Sequence, residues 1–64
     1  MLRIEWRGSH WLLAAYKNHK CIMALGFDNV THGLHGDILD LRYGHAYVAS
    51  VYGKDIENIE ELFQ

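Results

Sequence analysis

The chain has 64 residues, a formal net charge of −2, no proline and one cysteine. A chain this short buries only about 60% of the surface that it exposes when unfolded, so it has room for one domain with a small core. The single cysteine excludes an internal disulfide, and the uncharged runs are too short to span a bilayer. We therefore expect one domain over residues 1–64, in the cytoplasm, with no membrane association.

The first predicted elements are two strands joined by a tight turn. Leu2–Arg7 alternates apolar and charged residues, which is typical of a strand with one solvent-exposed face. His10–Lys17 follows as its partner, because a glycine at the first position of Gly8-Ser9 suits a type II′ hairpin turn. The register predicts three apolar pairs on one face: Trp6 with Trp11, Ile4 with Leu13 and Leu2 with Ala15.

A polar turn at Asn18-His19 precedes a third predicted strand, Cys21–Phe27, because Asn18 tolerates a left-handed backbone. This pairing places apolar residues on both faces of the sheet, so one face must pack on the rest of the chain or on another chain. A helix over residues 9–25 is the alternative, since Leu, Ala and Met favour helices. One sheet face is predicted to hold Leu12, Ala14, Tyr16, Cys21, Met23, Leu25 and Phe27, and the other Ile4, Trp6, Trp11, Leu13, Ala15 and Ile22.

The second half of the chain predicts a loop, a hairpin and a helix. Asp28–Asp37 is rich in turn-forming residues and is predicted to be irregular. Ile38–Tyr43 and Ala46–Tyr52 form the second hairpin, with Leu41 opposite Val48 and Leu39 opposite Ser50. The fold class is therefore α+β: a small antiparallel meander of about five strands in two hairpins with one C-terminal α-helix. The predicted helix has Asp55 as its N-cap and Ile56, Ile59, Leu62 and Phe63 on one face.

Catalytic chemistry has little support in this sequence. His32, His35 and Asp37 would supply three zinc ligands, but loop histidines without a metal are far commoner. Neither serine lies in a nucleophile elbow, and Cys21 on an apolar strand face is predicted to be buried and inert. We expect no enzymatic activity, no metal and no other cofactor.

The distribution of charge and aromatic residues favours binding. Residues 1–27 carry four basic residues against one acidic, and residues 28–64 carry two against seven. We expect a small non-catalytic protein-protein interaction module, a regulator or inhibitor of a larger enzyme in the manner of small phage or mobile-element proteins, with a protein partner or as a homodimer. The alternative is weak binding of single-stranded nucleic acid by the basic and aromatic N-terminal strands. The expected contact residues are Trp6 and Trp11 if their face is open, and Arg3, Arg7 and Tyr16 if it is not.

Overall fold

A computed structural model describes all 64 residues, which form six strands in two antiparallel three-stranded sheets. The expectation of a small antiparallel-sheet domain is confirmed, but the α+β class is wrong because the structure is all-β. No helix in it has the length and apolar character needed to cross a bilayer. The first sheet contains β1 (Leu2–Trp6), β2 (Trp11–Lys17) and β3 (Lys20–Phe27), and the second contains β4 (Asn29–His32), β5 (Ile38–Tyr43) and β6 (Ala46–Tyr52).

The turns of the first sheet form as the sequence predicts. Trp6 lies opposite Trp11, and the other two predicted pairs of β1 and β2 are also present. Gly8 has a φ of 88°, a conformation that glycine adopts without strain. Asn18 and His19 both have positive φ, as a type I′ turn requires. Residues 9–25 are thus largely β2 and β3, and the alternative of a helix there is wrong.

A β-bulge between β2 and β3 overturns part of the predicted face assignment. Ala15 pairs with Met23, whereas an unbroken register would pair it with Ile22. Because successive strand residues point to opposite faces, one extra residue moves the rest of β3 to the other face. Met23, Leu25 and Phe27 therefore share a face with Trp11, Leu13 and Ala15.

The second sheet differs from the prediction in two places. The stretch predicted to be irregular contains β4, which pairs with β5. Val30 is the only apolar residue of β4, so the strand shows no alternation of apolar and polar residues. A second bulge shifts the β5–β6 register by one residue, so that Leu41 pairs with Ala49 and Leu39 with Val51.

The core lies between the inner faces of the two sheets. It includes residues from both sheets and from the C-terminal segment, which we define as residues 53–64. The fully buried members are Ile4, Leu13, Phe27, Leu41 and Ile56, and the half-buried residues packed on them are Leu2, Trp11, Val30, Val48, Val51, Ile59 and Leu62.

The C-terminal segment follows the outer edge of β1 and is not an α-helix. It contains only two short 3₁₀ turns, Gly53–Asp55 and Ile59–Phe63. Between them, Ile56 forms a parallel bridge with Leu2. A helix of about ten residues is marginal on its own, and extended backbone here bonds to the sheet instead. Asp55 consequently caps no helix.

Asn58 fastens this segment to the sheet. Its side chain is buried, with its oxygen accepting from the N–H of Ile4 and its amide donating to the C=O of Ile4, both at 2.9 Å. The N–H of Glu57 adds a bond of 2.9 Å to the C=O of Leu2. The Asn58 side chain thus bonds to the free N–H and C=O of Ile4 at the edge of β1, as a neighbouring strand would.

Candidate protein-binding cleft

Two tryptophans meet at the end of the first sheet. Trp6 is the last residue of β1 and Trp11 the first of β2, so their direct pairing sets the ring centroids 5.1 Å apart at an interplanar angle of 57°. Trp11 also stacks on the fully buried ring of Phe27, with the centroids 6.4 Å apart. The core therefore holds Trp11 in place, while Trp6 remains 55% exposed.

The second 3₁₀ turn completes a cleft against these rings. We call it the tryptophan cleft, and it has a volume of roughly 430 Å³ that is open to solvent. The turn lies here because Ile59 and Leu62 pack on the core. Next to Leu62, Phe63 is largely exposed and extends the apolar surface. The residues lining the tryptophan cleft are Trp6, Trp11, Glu61, Leu62 and Gln64.

The only acidic side chain lining the tryptophan cleft is that of Glu61, and it is hydrogen-bonded to Asn58. The Asn58 amide donates a hydrogen bond to one carboxylate oxygen of Glu61. The backbone N–H of Glu61 donates to the C=O of Asn58 at 3.1 Å. Since Asn58 is itself bonded to Ile4 of β1, the acidic group has a fixed position relative to Trp6. The cleft therefore combines two aromatic faces with one anchored negative charge.

The other predicted contact residues lie apart from the tryptophans. Strand alternation directs Arg3 and Arg7 to the outer face of the first sheet, as the sequence predicts. Arg3 pairs with Glu57 at 3.0 Å, and Arg7 lies 4.0 Å from Glu5. The Tyr16 hydroxyl donates to Glu5 at 3.4 Å, and this nearby carboxylate raises the pKa of Tyr16. These cations thus have acidic partners within the chain.

Several other polar groups are bonded in ways that stabilise turns. The carboxylate of Asp28 accepts from the N–H of Gly44 at 2.9 Å and from the Asn29 amide at 2.6 Å, and these two bonds lower its pKa. Asp37 accepts from the N–H of Lys54 at 2.6 Å. No group of three His, Cys, Asp or Glu side chains is placed to hold a metal ion.

Two further surface features differ in character from the tryptophan cleft. A smaller concavity of roughly 220 Å³ lies on the second sheet and has no charged residue in its lining, which consists of Ile38, Ser50, Val51 and Tyr52. Cys21 is an exposed free thiol on β3, so the prediction that it is buried is wrong. It lies opposite Tyr16 on the outer face of β3, and no strand lies beyond β3 in the first sheet.

The sequence predicts the pairing of Trp6 with Trp11 but not the other residues of the cleft. The predicted helix places Leu62 and Phe63 on its apolar face and gives no binding role to Glu61. The one available signal is Asn58, because Asn disfavours helix interiors and its side chain readily bonds to backbone groups. No protein family, curated protein or solved structure matches this chain.

Proposed function

We propose that this chain is a non-catalytic protein-protein interaction module that binds its partner through the tryptophan cleft, as a regulator or inhibitor of a larger protein. The observation that carries the proposal is an exposed Trp6 beside a Trp11 fixed by the core. Tryptophan is enriched among residues that dominate binding energy, and a pre-organised ring loses little conformational entropy on binding. The free thiol of Cys21 is consistent with a cytoplasmic location.

Nucleic-acid binding has less support as a function. It would use Arg3 and Arg7 as phosphate contacts, but both have carboxylates beside them. Trp6 and Trp11 lie on the opposite face of β1 and β2 from these arginines, so a single strand of nucleic acid would not contact both sets on one flat platform.

The proposal is tested by comparing two exposed aromatic residues. Partners are captured on the immobilised chain, and the affinity of each is measured for Trp6→Ala and for the control Tyr52→Ala, which alters a half-exposed ring on the second sheet. We expect Trp6→Ala to weaken a partner at least about 30-fold, which corresponds to a hot-spot loss of about 2 kcal/mol. Tyr52→Ala should leave the affinity unchanged. Equal binding by Trp6→Ala and the unaltered chain, or no captured partner, contradicts the proposal.

A further inference from the structure

The lining of the tryptophan cleft favours one kind of side chain from a partner. Trp6 offers a large exposed aromatic face, and such a face attracts a cation through its quadrupole. The Glu61 carboxylate lines the same cleft. Asn58 occupies one of its two oxygens, which leaves acceptor capacity for a further donor. An aromatic face beside an anchored carboxylate is complementary to a positively charged group.

The chain itself does not supply that positive group. Arg7 is the residue next to Trp6, but strand alternation directs it to the outer face, where it lies beside Glu5. The cleft lining contains no Lys, Arg or His. The segment around the cleft is acidic as well, because Glu57 and Glu60 lie close to Glu61 in sequence and no basic residue follows Lys54. Negative charge around an aromatic cleft draws a cation toward it.

We infer that the tryptophan cleft recognises an arginine side chain of the partner protein. The planar guanidinium stacks on the indole of Trp6 while its edge donates to Glu61, a combination that a compact ammonium group matches less well. An open cleft of roughly 430 Å³ admits a guanidinium with part of its aliphatic stem. This inference rests on the proposed function and adds the chemistry of the partner.

The test uses capped peptides of the form Gly-Gly-Xaa-Gly-Gly, in which Xaa is arginine, lysine, norleucine or glutamate. Binding is followed through the indole N–H signals of Trp6 and Trp11 in proton–nitrogen correlation NMR of the intact chain. We expect the arginine peptide to bind about fivefold more tightly than the norleucine peptide, the combined size of one exposed cation–π contact and one exposed ion pair. The lysine peptide should lie between them, and the glutamate peptide should bind least.

Glu61→Gln tests the origin of this preference, with Glu60→Gln as the matched control outside the cleft. Glutamine keeps an oxygen for the Asn58 amide, so the local structure is retained. We expect Glu61→Gln to reduce the arginine preference to about twofold, with unchanged affinity for the norleucine peptide, since only the cation–π contact then remains. The inference is overturned if Glu61→Gln leaves the preference for arginine unaltered, or if the norleucine peptide binds as tightly as the arginine peptide. Either result leaves the proposed protein-binding role of the cleft standing. The inference is also overturned if no peptide shifts the indole signals. Independently, the proposed function is overturned if Trp6→Ala binds a partner as tightly as the unaltered chain does.

Discussion

Asn58 holds the C-terminal segment on β1, so its substitution tests how the fold is closed. Asn58→Ala removes both hydrogen bonds to Ile4 and leaves a buried N–H and a buried C=O without partners. Each unsatisfied backbone group costs about 1–3 kcal/mol, so we expect a loss of about 2–6 kcal/mol for the two groups. A domain of this length has a total free energy of unfolding of about 3–10 kcal/mol. The substitution therefore removes a large share of the stability.

The assay is urea denaturation followed by tryptophan fluorescence. With an m-value of about 1 kcal/mol/M, the midpoint should fall by about 2 M or more. Asn29→Ala is the matched control, because the Asn29 amide also makes two hydrogen bonds but at an exposed site. It should cost no more than about 1 kcal/mol. Equal losses for the two variants would refute the view that Asn58 replaces a missing strand.

Two further predictions concern turns. The Gly44 N–H and the Asn29 amide lower the pKa of Asp28. The ionised Asp28 carboxylate therefore contributes its full stability above the unfolded-state pKa of about 4. This contribution is lost as the pH falls through the folded-state pKa. Between neutral and acid pH, the urea midpoint of Asp28→Asn should therefore fall less than that of the unaltered chain. Identical pH profiles for the two would disprove the stabilising role of the Asp28 carboxylate. In Gly53→Ala the new Cβ would lie 2.7 Å from a carboxylate oxygen of Asp37. The Asp37 carboxylate must then move, which weakens the hydrogen bond that it accepts from the N–H of Lys54. We expect a loss of about 1 kcal/mol in the same urea assay, and unchanged stability would contradict the close contact.

The first hairpin was predictable because its signals are local. Strict alternation in β1 and the position of Gly8 together fix the pairing of Trp6 with Trp11. Local signals could not predict which residues of β3 face the core. The extra residue at Ile22 has no marker in the sequence, yet it changes which side of the sheet Phe27 occupies.

The prediction of a C-terminal α-helix was wrong because the spacing of the apolar residues fits more than one structure. Ile56, Ile59 and Leu62 recur every three residues, which suits an α-helical face but also suits extended backbone followed by a 3₁₀ turn. The choice depends on Asn58 reaching Ile4, a contact 54 residues away in sequence. Tertiary hydrogen bonds of this kind override local propensity.

The candidate site was also predictable only in part. Trp6 and Trp11 follow from the strand register, and their separation from Arg3 follows from strand alternation. Glu61 enters the tryptophan cleft only because the C-terminal segment follows β1, so no pattern near Glu61 predicts its place.

Site-specific photocrosslinking tests the central claim most directly, namely that the tryptophan cleft is the partner-binding surface. Benzoyl-phenylalanine replaces Phe63, which is exposed beside the tryptophan cleft, in one variant, and Tyr52, an exposed aromatic residue on the second sheet, in another. Our account predicts that irradiation joins one protein partner to the chain from position 63 and not from position 52. Crosslinking of that partner from position 52 alone, or equally from both positions, would contradict it.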